Sequence, residues 1–154
     1  MPDYLTLFVK SGMLSEAHNR YIAKELITLN KHTERYGIVL SEKDCAEIAE
    51  CRSELLIENE RIEVGSGAVK RIIEEFCDSG YVDPKTFKDT VQGLLECFYT
   101  IKTETDDKVD DEAVLEFLKY AFEATGGDVS KIYMLEAFDA FIASANGSGN
   151  NQKK

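Results

Sequence analysis

Proline is scarce. The 154 residues hold two, and one of them is Pro2. A proline inside a helix removes a donor and clashes with the preceding turn, so its scarcity leaves long stretches free for helix. Histidine is equally rare, with His18 and His32 alone. On one straight helix they stand about 21 Å apart at 1.5 Å per residue, too far to share a zinc ion. The cysteines, Cys45, Cys51, Cys77 and Cys97, form no C-x-x-C pair, which removes the common zinc and dithiol spacings. There is no G-x-G-x-x-G, no Lys-Ser/Thr completing a phosphate loop after Gly65-Ser66-Gly67, and no G-x-S-x-G elbow. Neither metal, cofactor nor catalytic residue is therefore expected.

Positive charge is also short. Eighteen Lys and Arg face 29 Asp and Glu, for a net charge of −11. Phosphate contacts need cations, so nucleic acid and anionic membrane surfaces are excluded as expected partners. No window approaches the ~20 apolar residues of a membrane helix. The short run Leu5 to Val9 follows Asp3 rather than a basic region, unlike a signal peptide. A reducing cytoplasm is the expected setting, with the thiols acting as small hydrophobes.

What is present is helical periodicity. Phe87, Val91, Leu94, Leu95 and Phe98 recur at i, i+4, i+7, i+8 and i+11, and Tyr99 and Ile101 widen that face. This stretch is the expected centre of the fold. Asp83 is placed to cap it, Pro84 to occupy its first position and Val82 to staple onto Phe87. Other helices are expected over about Ser15 to Tyr36, Ser41 to Arg61, Ala68 to Ser79, Asp110 to Thr125, and from Asp128 or Ser130 onward. Ser41 and Asp44 resemble a capping box. Arg52 interrupts the apolar stripe of its helix and is expected to snorkel to the edge. Residues 61–67, RIEVGSG, form a glycine-broken link in which a short extended piece is conceivable.

Short loops join these segments, so the expected architecture is all-α: a compact bundle or array of about six helices. One helical domain is expected over residues 1–145, with residues 146–154 a disordered tail. Residues 1–12 are too apolar to float free and are expected to pack on the body or on a neighbouring copy.

The negative charge is concentrated. Residues 42–63 carry eight acids against three bases, and residues 103–128 carry nine against two. An EF-hand register with Gly80 at its sixth position puts Glu75, Cys77, Ser79 and Thr86 where ligands belong, which is no calcium loop. The acids of 104–112 lack the required glycine. Helix capping and solubility account for them more economically than a divalent site.

The polar set that stands out is Arg61 with Glu63, and Tyr99 with Lys102 and Glu104. Tyr99 and Lys102 are i, i+3 neighbours at the polar end of the central helix, and the glycine-broken link can fold over that end. Two readings follow, a structural ion-pair network or a pocket for a small anionic ligand. The structural one is the simpler.

Through Leu40-Ser41, Arg61-Ile62-Glu63-x-Gly65, Phe98-Tyr99-x-x-Lys102-x-Glu104 and Asp110-Asp111-Glu112, the chain resembles a family of short helical proteins from clostridia and related Firmicutes. That family has no assigned function. The resemblance covers about residues 15–142 and implies a bacterial cytoplasmic protein. It supplies no activity and no catalytic residue. The expected function is a non-enzymatic interaction or assembly protein, with a protein partner or self-association through surplus apolar faces. The alternative is a small-ligand binder or enzyme built on Arg61, Glu63, Tyr99, Lys102 and Glu104.

Overall fold

A computed structural model describes the backbone of residues 13–63 and 65–151, with side chains over 16–63 and 65–147. The expectation for residues 1–12 lies outside the described residues. In chain order the elements are α1 (Met13–Thr28), α2 (Asn30–Thr33) with a 3-10 turn (Glu34–Tyr36), α3 (Glu42–Glu58), α4 (Gly67–Phe76), α5 (Phe87–Glu104), α6 (Asp111–Ala124), a second 3-10 turn (Val129–Met134) and α7 (Glu136–Asn151). Among the described residues there is no strand, so the all-α reading holds.

The core forms around α5, as its apolar period requires. Phe87, Val91, Leu94, Leu95, Cys97, Tyr99 and Ile101 are sealed from solvent, and Phe98 nearly so. The helix touches α3, α4, α6 and the Val129–Met134 turn. A face this wide leaves room for several neighbours rather than one narrow seam. Gly93 permits the closest approach, since a Cβ there would stand 2.8 Å from Val129 Cγ1. Phe76 of α4 and Phe122 of α6 meet edge to face, with centroids 5.5 Å apart.

Several boundaries differ from the sequence pattern. The helix read over Ser15 to Tyr36 starts at Met13 and breaks at Leu29. The cause is side-chain competition for the backbone. Thr28 Oγ1 donates to the Glu25 carbonyl at 2.6 Å, and Asn30 bonds both the N–H and the C=O of Leu40 at 2.9 Å. Thr33 Oγ1 donates to the Ile38 carbonyl at 2.8 Å, and Gly37 ends the segment at φ 79°.

Asp83 and Pro84 do not open α5. Asp83 Oδ1 instead accepts from Lys85 N at 2.9 Å, in a turn that delivers the chain to Phe87. The capping box at Ser41 is real, with Asp44 doing the work usually given to Glu or Gln. Residues 61–63 are not a strand, and α4 stops at Phe76. The segment read as a tail, 146–154, meets a helix that runs to Asn151, while residues 152–154 lie outside the described residues.

Arg52 is the largest departure. It does not snorkel; its side chain is wholly buried, because the following link wraps over it and supplies acceptors.

Candidate functional site

The polar network is assembled by two helix ends. α3 ends in a Schellman turn: Glu60 N donates to the Ile57 carbonyl at 3.1 Å and Arg61 N to the Leu56 carbonyl at 2.8 Å. α5 ends the same way, with Asp106 N on Thr103 O at 3.2 Å and Asp107 N on Lys102 O at 2.9 Å. Each turn needs a left-handed residue. Glu60 (φ 54°) and Asp106 (φ 50°) take that role, though glycine would do it at less cost.

These turns bring Arg61 and Asp107 together. Arg61 Nη1 and Nη2 donate to Asp107 Oδ2 and Oδ1 at 3.1 and 2.7 Å, a fork on a carboxylate. The Arg61 guanidinium holds the Asp107 carboxyl below the usual carboxylate range. The same hydrogen bond raises Arg61. Arg61 Cζ also lies 6.0 Å from the centroid of the Tyr99 ring.

Glu63 lies between two partners. Tyr99 OH donates to Glu63 Oε2 at 2.9 Å. Arg52 Nη2 donates to Glu63 Oε1 at 3.4 Å, to the Glu63 carbonyl at 3.0 Å and to the Gly65 carbonyl at 2.6 Å. Burial, and then the Glu63 carboxylate, push the Tyr99 phenol above its ordinary value. It stays protonated at neutral pH and serves as a hydrogen-bond donor.

Lys102 closes the network at the other side of Asp107. Its Nζ donates to the Val109 carbonyl at 2.8 Å, pairs with Asp111 Oδ1 at 2.8 Å and lies 3.7 Å from Asp107 Oδ1. Glu104 is set apart from these groups. Its side chain is exposed, and its backbone carbonyl accepts from Asn146 Nδ2 at 3.0 Å. Arg61, Glu63 and Tyr99 therefore converge, Lys102 joins them through Asp107, and Glu104 anchors α7 by its main chain.

Sequence reasoning missed Arg52, Asp107 and Asp111. Arg52 carried a signal, as a charge in an otherwise apolar stripe. Asp107 carried little, because one acid in an acidic loop looks like its neighbours.

Two further acids of 104–112 are also spent on structure. Asp110 Oδ1 accepts from Ala113 N at 2.9 Å and caps α6, while Glu112 pairs with Arg71 at 2.6 Å. Among the described residues no three His, Cys, Asp or Glu side chains converge as a metal site would require. The thiols are poor nucleophiles where they stand. Burial pushes Cys45, Cys51 and Cys97 up to about 11, so they are protonated at neutral pH.

Two surface features lie away from the network. A groove of about 410 Å³ runs between Thr86, Asp89 and Thr90 at the start of α5 and the Gly126–Ser130 turn. Its backbone offers no anion nest, since the N–H groups of Gly126, Gly127 and Asp128 already bond Glu123, Phe122 and Thr125 carbonyls. The second is an aromatic corner. Phe117 of α6 stacks on Phe141 of α7 with centroids 4.4 Å apart, and Tyr133 meets Phe138 at 5.1 Å. Tyr120, whose ring lies 6.3 Å from that of Phe117, is 59% exposed, and Met134, next in the chain to Tyr133, is 81% exposed.

A model described as a family of unknown function, DUF6323, matches residues 25–143. No curated protein and no solved structure matches the chain.

Proposed function

The chain belongs to that family of unknown function, and from this premise we propose that it is a non-enzymatic interaction or assembly protein of a bacterial cytoplasm, of the clostridial and Firmicutes kind. Its working surface is the aromatic corner of α6, the Val129–Met134 turn and α7, and a second copy of the chain is its first expected partner. The observation that supports this most is the exposure of Tyr120 and Met134 around a stacked aromatic cluster. Aromatic residues and Met are enriched at protein interfaces, and apolar groups gathered in one place carry more meaning than scattered ones. The state of the polar groups supports it too. The charged heads of Arg52, Arg61 and Lys102 each meet acceptors from the chain itself, and the buried thiols are protonated.

Sedimentation velocity over the micromolar range tests the reading. Self-association is expected, with loss in a Tyr120→Glu, Met134→Glu variant that keeps the helical circular dichroism of the parent. A monomer at every concentration, with no partner retained by the parent over the variant, removes the proposal.

A second reading places a small anionic ligand at Arg61, Glu63, Tyr99 and Lys102, without Glu104, whose exposed side chain stands apart from them. The 2.9 Å bond between Tyr99 and Glu63, under the Arg61 guanidinium, favours it. A melting temperature raised by a small carboxylate or phosphate, and unmoved in Tyr99→Phe, is its signature.

A further inference from the structure

Between α1 and α3 lies a polar seam that the network above does not use. Glu25 Oε1 and Arg52 Nε are closed to solvent and meet no protein hydrogen-bond partner among the described residues. His18 Nε2 and Asn19 Oδ1, about two turns earlier on α1, are in the same condition. Arg52 spends Nη2 on the link, with three acceptors there, and that leaves its Nε–H over.

The link holds both free groups in one neighbourhood. Glu25 uses its other oxygen, Oε2, to accept from Ser66 Oγ at 3.2 Å, and the Tyr21 hydroxyl lies in reach of the same carboxylate without meeting Oε1 in hydrogen-bond geometry. Ser66 follows Gly65, whose carbonyl takes Arg52 Nη2 at 2.6 Å. A buried donor on a cation and a buried acceptor on an anion, both unpaired, are among the costliest arrangements a core can hold.

The ligand that relieves both must accept from the Arg52 N–H and donate to the Glu25 carboxylate. An anion satisfies the first and is repelled by the second; a cation reverses the conflict. An apolar group serves neither. Water does both, and it is small enough for a seam whose polar atoms are shut off from solvent. We infer that the α1–α3 seam is an internal water site, with at least one ordered molecule bridging Arg52 Nε–H and Glu25 Oε1. α1 is then docked on α3 through a hydrated seam in its polar part and through Ile22 and Leu26 in its apolar part, both sealed from solvent.

The test uses the full chain labelled with ¹⁵N, in a nitrogen-edited experiment that transfers magnetisation from water to arginine Nε–H groups. Arg52→Lys assigns the resonance. The expected result is a cross-peak between the Arg52 Nε–H and a long-lived water, lost in Glu25→Met, where the bridging acceptor is gone. A crystal structure should place a water within hydrogen-bond distance of both atoms. A direct Arg52 Nε to Glu25 bond with no water contact overturns the inference. So does a water cross-peak that persists unchanged in Glu25→Met. If Glu25→Met fails to fold, the crystal structure of the parent decides alone.

Discussion

Arg61 and Asp107 stand at equivalent positions of two helix ends, the second residue beyond the cap of α3 and of α5, and there they form a bidentate ion pair at 2.7 and 3.1 Å. Matching Schellman turns thus aim opposite charges at each other. The pair is partly wet, with 23% of the Arg61 side chain and 54% of the Asp107 side chain exposed, and solvent screens it accordingly. A double-mutant cycle with Arg61→Ala and Asp107→Ala should give a coupling of about 0.5–1 kcal/mol that shrinks in 1 M salt. Because the Asp107 carboxyl is lowered in the fold, its contribution is present above the ordinary carboxylate range. It is lost as pH falls through the depressed value. Acid titration of stability, read by urea denaturation, should show a shallower loss in Asp107→Ala.

The left-handed residues of those turns predict a gain rather than a loss. Glu60 is exposed, holds φ 54° and gains nothing from its Cβ there. Glu60→Gly should stabilise the protein by about 0.5–1 kcal/mol, the relief of left-handed strain less the added freedom of the unfolded chain. Asp106→Gly should gain less, since Asp tolerates this region better than Glu. Equal or negative changes in the urea midpoint would show that the side chains, not the backbone, set these turns.

The rod at the centre of the fold was legible because its apolar residues repeat with helical period on more than one face, and burial enforces that pattern. The Ser41–Asp44 box and the Asp110 cap were legible for a local reason: their partners lie three residues away. The start of α5 was misplaced by an equally local signal. Asp83 and Pro84 suit a helix start, but they also suit the turn that Asp83 makes with Lys85. The break at Leu29 was invisible because Asn30 bonds Leu40, ten residues on. The candidate site was half legible for the same reason. Arg61, Glu63 and Tyr99 advertised themselves, whereas Arg52 required knowing that the link folds back over it. Glu104 sits one turn from the action and shares the composition of the residues that matter, so sequence alone had no ground to reject it.

His18 predicts an unusual pH response. Burial, and then the nearby Arg52 charge, lower its pKa from 6.5, with Glu25 opposing them. A histidine lowered in the fold favours the unfolded state when it takes a proton. Its contribution is therefore complete above the unfolded value and is lost as pH falls through the folded one. Stability measured between pH 8 and 5 should decline in the parent, and decline less in His18→Gln. A parent and a His18→Gln variant whose stabilities run parallel through this window contradict the burial of an uncharged ring.

Thiol reactivity should separate Cys51 from the others. Cys45, Cys77 and Cys97 are sealed in the core, whereas Cys51 is half-buried. Cys51 itself is pushed up to about 11, by burial first and then by the Glu54, Glu96 and Glu58 carboxylates. Against an ordinary thiol, its thiolate population near pH 8 falls by on the order of 100-fold. A disulfide-exchange reagent should label native protein slowly and at Cys51 first, with a rate rising tenfold per pH unit, and label all four cysteines after unfolding. Rapid modification at pH 7 would place this thiol in a different electrostatic environment.

Glu63 should matter more than Tyr99 although they share a hydrogen bond. Removing the phenol in Tyr99→Phe leaves Glu63 Oε2 without its 2.9 Å donor. The Glu63 side chain is 24% exposed, so water can replace it. A cost of about 1–1.5 kcal/mol follows. Among the described residues, Glu63→Ala removes the one carboxylate directly bonded to Arg52, whose side chain is 1% exposed. A buried cation that loses this partner costs about 2–3 kcal/mol, with the Glu63 and Gly65 carbonyls still bonded to it and the Glu25 carboxylate in the same neighbourhood. Chemical denaturation of the two variants gives the comparison. Losses of equal size would mean that the network rests on the phenol's hydrogen bond and that the two link carbonyls alone suffice to keep Arg52 inside.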